Sequence, residues 1–404
     1  MSETPGRYSH LASSLRRDIH MATVALTPQL VDFRRELHRH PELGRHEHAT
    51  TDRLAQALED AGLTPKRLPG TGLTCDFGPE DSGRPRVAIR SDIDALPVPE
   101  ATGLPFASEN EGVAHACGHD VHMTCVFGAG LVLKQLADRG QLPAPVRLIF
   151  QPAEELLPSG APDVIAAGAL DGVGRIVAMH CDPHYDVGQV ATRPGPITSA
   201  CDLITVYAYG DGGHTSRPHL TQDLVFVTGQ LLVQVPAVIS HLLDPRAGAN
   251  LTWGAVHAGE AHNVIPNSAA IRGTLRVLDA RAWEHAGEVL RDAVVSIAEP
   301  YGVRTELDHK RGVPPVVNDP VVAQIMSTAG RAVLGESGVL VAEQSLGGED
   351  FAWYLHHVPG ALMRLGTRTP GGRTYDIHQG DFTADERAIP VGVEVFAATA
   401  VMAG

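Results

Sequence analysis

The sequence predicts an α/β protein: a mostly parallel sheet with intervening helices, interrupted by an inserted ferredoxin-like βαββαβ domain. Three observations predict it. Compact apolar runs at residues 86–90, 146–150 and 175–179 alternate with helical patterns, which implies βαβ units. Residues 203–309 instead read strand, helix, strand, strand, helix, strand, the order of the split βαββαβ motif. The length of 404 residues also suggests more than one domain.

Residues 28–39 read as a helix that stops before Pro41, and residues 47–61 as a second ended by Gly62. The strand at 86–90 runs into SDIDALP, that at 146–150 into QPAEE and that at 175–179 into HCDP; a helix at 121–136 separates the first two. After the turn Arg193-Pro194-Gly195-Pro196 come a strand at 203–209, a helix at 221–243 and strands at 250–257 and 269–278. A helix at 280–299 and a strand at 303–309 complete the insertion, which Pro314-Pro315 closes. The α/β pattern resumes with a helix at 321–334, a strand at 361–365 and a last helix from Ala384, begun by a Thr383/Glu386 capping box. The expected boundaries are 1–197 and 313–404 for the catalytic domain and 198–312 for the insertion, with no internal repeat.

Composition narrows the chemistry. Asp plus Glu number 47 against 32 Lys plus Arg, a formal charge of -15 that argues against a phosphate-backbone binder. The lysines are Lys66, Lys134 and Lys310, and none completes a GxxxxGK phosphate loop. Histidine is in excess at 21, and its common uses at neutral pH are metal ligation and proton transfer. The five cysteines (Cys75, Cys117, Cys125, Cys181, Cys201) form no CxxC and leave one over in any full pairing. The first 25 residues carry Arg7, Arg16, Arg17, Asp18 and His20 without the apolar core of a leader peptide. Residues 224–243 are interrupted by Gln230, Gln234, Pro236 and His241, and read as an amphipathic helix rather than a membrane span. A cytoplasmic protein with reduced thiols and neither nucleic-acid nor membrane partner is the expectation.

In parallel sheets ligands bind beyond the carboxyl ends of the strands, and all three strands end in ligand-type residues. Asp92 and Asp94 follow the first, Glu154 and Glu155 the second, His180 and Asp182 the third. His115-Ala-Cys117-Gly-His119-Asp120 packs three potential ligands into a turn before a helix, suited to zinc-like ions. A structural thiol with hydrogen-bonded histidines would fit the same residues. On an extended backbone the adjacent Glu154 and Glu155 point to opposite sides, so one carboxylate can ligate while the other faces water. Asp92-Ile93-Asp94 also reads as a turn and helix N-cap, and His180 or His378 alone as a surface histidine. The run His38, His40, His46 and His48 reads as a solvated basic face. There is no GxSxG elbow and no HExxH, and Gly210-Asp211-Gly212-Gly213 lacks dinucleotide-loop spacing.

Taken together, SDIDALP (91–97), HACGHDVH (115–122), QPAEE (151–155), Met179-His180, GGHTSRPH (212–219), HNVIP (262–266), RGTLR (272–276), GGEDF (347–351) and His378 resemble the M20 metallopeptidase/amidohydrolase family. The match runs in order from about residue 30 to the C-terminus, and within the family it is similar to the aminoacylase-like branch of hippurate, N-acyl-amino-acid and auxin-conjugate hydrolases. The resemblance implies two divalent metal ions per subunit, zinc first, with manganese, cobalt or nickel also able to serve. Cys117, His119, Glu155, His180 and His378 would be the ligands, Glu154 the general base and Asp94 the residue orienting a ligand. The inserted domain would be a lid that also makes a homodimer or homotetramer. His214 would reach into the partner's site to stabilise an oxyanion, while Asn263 and Arg276 would bind the substrate end. The implied reaction is cleavage of an N-acyl amino acid to a carboxylic acid and a free amino acid. A dipeptidase, an N-acetyl-diaminopimelate deacetylase or a non-catalytic metal-binding scaffold are the alternatives. Ala114 where the branch has Met, Leu156-Leu157-Pro158-Ser159 where it has a glycine-rich run, and GGHTS for GGHAA leave the acyl pocket unassigned.

Overall fold

The computed structural model describes residues 11–404, so the Arg7 of the leader reading lies outside the described residues. The chain divides into two compact units. One comprises residues up to Ile197 with Val317–Glu343 and Trp353–Gly404, the other Thr198–Val316 with Gln344–Ala352.

The first unit opens with α1 (Ser13–Arg39) and α2 (His48–Asp60). The strands β1 (Pro65–Arg67), β2 (Leu73–Phe77) and β3 (Arg86–Asp92) lead to α3 (His119–Asp138). Then come β4 (Val146–Gln151), α4 (Ala161–Ala166), β5 (Val173–Asp186), β6 (Val190–Thr192) and β7 (Gly195–Pro196). The second unit carries β8 (Ala200–Tyr209), β9 (Gly213–His214), α5 (Leu224–Leu242), β10 (Asn250–His257), β11 (Val264–Ile265), β12 (Ser268–Val277), α6 (Ala280–Ala298) and β13 (Arg304–Val313). The first unit resumes with β14 (Val317–Asn318), α7 (Pro320–Leu334) and β15 (Val339–Val341). It ends with α8 (Ala352–Leu355), whose first residue counts with the second unit, β16 (Gly360–Arg368) and α9 (Ala388–Ala403).

The main sheet has eight strands in the order β1-β2-β4-β3-β5-β16-β6-β15. Its four central strands, β4, β3, β5 and β16, are mutually parallel. The antiparallel pairs lie toward the two edges. α3 is buried on nearly every side, as an apolar-all-round helix must be. It packs against α1 and α9. The mixed, centrally parallel α/β architecture is the one expected from the βαβ pattern.

α1 is longer than the periodicity predicts and runs through Pro28. The proline forfeits one backbone hydrogen bond, but Ile19, Thr23, Leu30 and Leu37 bury a continuous face around it. The Thr383/Glu386 capping box does not form, and α9 begins at Ala388. Glu386 is drawn instead to Arg35, which donates from Nε at 2.9 Å and from Nη2 at 2.7 Å, and Thr383 Oγ1 donates to Asp381 O. Bidentate pairing with a guanidinium outcompetes a single hydrogen bond from a backbone N–H.

In the second unit the order β10-β12-β8-β13, all antiparallel, is that of a ferredoxin-like sheet. α5 and α6 pack against each other and on this sheet. Asp223 and Asp279 cap them, accepting from Phe226 N at 3.1 Å and Ala282 N at 2.8 Å. α5 is long and apolar enough by composition to cross a membrane. Leu224, Val227, Leu231, Val235 and Ile239 nevertheless form one buried stripe at helical spacing. Asp202 is fully buried and accepts from Trp283 Nε1 (3.0 Å), His309 Nε2 (2.7 Å) and Gly312 N (3.0 Å), which ties α6 and β13 to β8. Residues 344–352 join this unit through Ser199, whose N–H and hydroxyl donate to Ser345 O and Leu346 O.

Candidate active site

β3 and β4 deliver acidic groups at and just beyond their carboxyl ends, and α3 brings the HACGHD turn to the same edge. β5 runs on to Asp186 instead of ending at residue 179, so His180 stands midway along it, two residues past the last pairing of β5 with β3. Gly118 is the N-cap of α3 at φ 84. A Cβ there would lie 2.8 Å from Cys181 Sγ, so only glycine lets the turn close against β5. His119 thereby occupies the first helical position, with Cys117 two residues before it.

Cys117, His119 and His180 present ligand-type atoms within 4.8 Å of one another, and so do Cys117, Glu155 and His378. Cys117 is common to both groups. His119, Glu154 and Glu155 form a third such set. The first set is buried, while Glu155 is 12% and His378 48% exposed at the side chain, so the cluster grades outward. His378 adopts φ 63 and donates its N–H to Ala116 O at 2.8 Å, which turns its ring so that Nε2 stands 3.2 Å from Glu155 Oε1.

Glu154 and Glu155 do not point to opposite sides of an extended strand. The backbone reverses at Ala153, whose φ of 55 takes the chain out of the strand, and both carboxylates approach His119. Asp94 is not a helix cap, since the next helix, α3, begins only at His119 and is capped at Gly118. Its Oδ2 accepts from Glu155 N at 2.9 Å, and its backbone oxygen receives His119 Nδ1–H at 2.9 Å.

The neighbours of each ring fix its tautomer. His119 Nδ1 faces the Asp94 carbonyl, leaving Nε2 as the free nitrogen. His180 Nδ1 faces Cys181 O at 2.7 Å, leaving Nε2 directed at Cys117 Sγ, 3.4 Å away. These are the outer partners that metal-ligating histidines ordinarily use. His119 Nε2 and Glu155 Oε1 are both buried and make no hydrogen bond, Oε1 having the ion-pair approach of His378. Orphaned buried polar atoms are costly, and a cation between them would remove the cost. The residues present therefore fit a divalent metal centre.

The electrostatics agree. Burial disfavours the charged His119 ring, but Asp92, Asp94 and Glu155 outweigh it and push its pKa up to about 10. Burial pushes the Cys117 thiol well up, and the Glu155 and Glu154 charges add to it. Burial also holds His180 well below its usual range, helped by His122 and Arg364. The pocket thus concentrates negative charge around two imidazoles and a thiol, the condition under which a bound cation binds best.

Two sets of partners around the site go beyond the sequence expectation. Asp92 accepts from His122 Nδ1 at 2.7 Å and from Arg90 Nη1 at 2.9 Å, while His122 Nε2 accepts from Cys181 N–H at 2.7 Å. His122 is therefore engaged at both nitrogens beside His180. β3 is buried on both faces without alternation, so Asp92 is named by its motif but its partners are not. The second set corrects the solvated-face reading of His38, which is buried and bonded to Asp120 (2.8 Å) and Glu100 (3.2 Å). Arg34 Nε meets the same Asp120 oxygen at 2.6 Å, both partners at most 2% exposed. Arg34→Met, which strands a buried carboxylate, is expected to lower unfolding free energy by about 3–5 kcal/mol in urea titration. A loss below about 1 kcal/mol, the range of an exposed pair, would contradict that weight.

His214, Asn263 and Arg276 lie on the second unit. His214 pairs with Val264 across the β9–β11 ribbon, and Asn263 O accepts from Thr215 N at 3.2 Å, so these two loops are joined. His214 Nδ1 accepts from Ser216 N–H at 3.1 Å, which leaves Nε2 as the donor nitrogen. Arg276 Nη1 donates to Leu346 O, just before the GGEDF run.

The profile of peptidase family M20/M25/M40 matches residues 88–401. The chain belongs to this family. M20 members are hydrolases of amide bonds. An N-acetylcysteine deacetylase of Bacillus subtilis (strain 168) is 38% identical over 384 residues, covering 95% of this chain and 98% of that one. The crystal structure of Bacillus subtilis YXEP, described as a dinuclear metal-binding peptidase of the M20 family, is 35% identical with a TM-score of 0.82, covering 94% of this chain and 98% of that one. A longer protein of Rhodococcus jostii (strain RHA1), named for glutamate–cysteine ligase, is 48% identical over 371 residues, or 92% of this chain; the chain spans only 46% of its length.

Proposed function

We propose that the protein hydrolyses the amide bond of N-acyl amino acids, releasing a carboxylic acid and a free amino acid. The observation that carries the proposal is the pair of ligand sets sharing Cys117, with Glu154 beside them and near His119. Cys117, His119, Glu155, His180 and His378 would hold two divalent cations, and Asp94 would orient His119 and the Glu155 turn. When bound, such cations supply Lewis acidity and bring the pKa of water toward neutrality. A thiolate, imidazole and carboxylate set suits zinc first, with manganese, cobalt or nickel as the other expectations.

Glu154 takes the proton of the attacking water and returns it to the leaving amine, so one carboxylate serves as base and then acid. His214, whose Nδ1 is occupied by Ser216, offers Nε2–H to the oxyanion. Asn263 and Arg276 hold the substrate end, Arg276 being suited to the carboxylate of the amino acid. The deacetylase name of the Bacillus subtilis relative supports an N-acyl substrate. A panel of acetyl, benzoyl, long-chain acyl and indole-acetyl conjugates beside dipeptides tests the class by amine release. Turnover confined to dipeptides would replace the acyl reading by a dipeptidase. Binding of conjugates with no turnover in the metal-loaded protein would make it a scaffold.

The second unit is proposed as the dimerisation surface. Val225, Phe226 and Val233 are exposed apolar residues on α5, and β10 is an edge strand of the sheet. If His214 acts across the dimer, mixing inactive Glu154→Ala and His214→Ala protomers is expected to restore up to about a quarter of wild-type activity, from the one good site per heterodimer. No recovery after verified subunit exchange would refute the cross-subunit role.

A further inference from the structure

The histidine-rich segment after α1 contributes to the site through a carboxylate. Glu47, at the N-cap of α2, is fully buried. Its Oε2 accepts from Thr71 Oγ1 at 2.7 Å, and its Oε1 accepts from the N–H of Ala153 at 2.8 Å. Ala153 immediately precedes Glu154, is itself fully buried and stands at φ 55, the left-handed region that alanine avoids. The carbonyl of Ala153 accepts from Gly160 N–H at 2.8 Å. Gly160 has no room for a side chain, because a Cβ would lie 1.9 Å from Pro152 O. On the far side of Glu154, Asp94 accepts the N–H of Glu155. Buried carboxylates therefore hold the backbone immediately before and immediately after Glu154. Glu47 is itself anchored: Thr51 Oγ1 donates to Glu47 O at 2.6 Å and accepts from Gly72 N–H at 2.8 Å, which fastens the start of α2 to the turn bearing Thr71.

We infer that Glu47 is a positioning residue for catalysis, locking Ala153 in the left-handed conformation and so setting where the Glu154 carboxylate stands. This rests on Glu154 being the general base. A charge-assisted acceptor on a buried N–H is strong, and its removal leaves that N–H unpaired. Ala153 then gains by relaxing toward ordinary backbone, which turns Glu154 away from His119. Burial raises the pKa of Glu47, yet a protonated carboxyl still offers Ala153 a carbonyl oxygen, so the hold on the backbone survives either state.

Glu47→Ala is expected to lower kcat about 10- to 100-fold, the scale of a misplaced catalytic group, with KM within about twofold. The bound metal, counted by elemental mass spectrometry, stays at the wild-type stoichiometry. Glu47→Gln keeps an oxygen for the Ala153 N–H and is expected to recover most of kcat. Glycine takes φ 55 without strain, so Glu47→Ala combined with Ala153→Gly recovers part of the loss. Glu47→Asp, which keeps the charge but shortens the reach, carries the same expectation as Glu47→Ala and serves if that variant does not fold. Wild-type kcat in Glu47→Ala or Glu47→Asp would overturn the inference. So would loss of metal in place of kcat, or no recovery in Glu47→Gln and the double variant. Glu154→Ala is assayed alongside. Full activity there removes the base assignment, whereas an inactive Glu154→Ala with wild-type Glu47→Ala removes the positioning role alone.

Discussion

Replacing Glu154 with alanine is expected to lower kcat by about 10²- to 10⁴-fold, the usual worth of a positioned general base, while both cations stay bound. Glu154 is near His119 and Glu155, but neither set that shares Cys117 includes it. Its loss therefore removes proton transfer without opening the metal centre. Glu154→Gln, which preserves size and removes basicity, is expected to fall as far. Steady-state amine release together with elemental analysis checks both. Loss of metal in parallel with kcat would make Glu154 a ligand rather than the base.

Metal loading is expected to be steeply dependent on pH. In the stripped protein the Cys117 thiol is pushed well up by burial and by Glu155 and Glu154, and His119 is pushed up to about 10. Both groups hold protons at neutral pH that a cation must displace, because ligands bind metal in their deprotonated forms. Loading near pH 7 is expected to release about two protons, so apparent affinity falls about 100-fold for each unit the pH drops. Calorimetric titration in buffers of different ionisation enthalpy reads that number directly. Cys117→Ala, which touches both ligand sets, is expected to release neither its proton nor bind two ions, whereas His378→Ala leaves the buried set intact. Loading that releases no protons would mean that these groups are not the ligands.

The parallel core was legible because β3, β4 and the first half of β5 are apolar runs with acidic or imidazole groups following, although β5 itself continues to Asp186, and the inserted unit because its element order is that of one sheet. The edge strands β1 and β15 were not, since three-residue strands carry no period. Cys117, His119, Glu155, His180 and His378 could be named from motifs, but the geometry that joins them could not. The reversal at Ala153 is set by Glu47, more than a hundred residues away in sequence, and no local pattern reports it. For the same reason His38 looked solvated: its partners Asp120, on α3, and Glu100, in the segment before α3, are distant in sequence, and only the packing of α1 against both joins them.

A two-cation hydrolytic centre at the carboxyl edge of the main sheet can be checked by counting metal ions per subunit while the stripped wild-type protein is reloaded and its release of free amino acid from an N-acyl conjugate is followed. No turnover is expected in the stripped state, and full turnover once two ions per subunit are bound. Undiminished turnover with no metal bound would contradict such a centre.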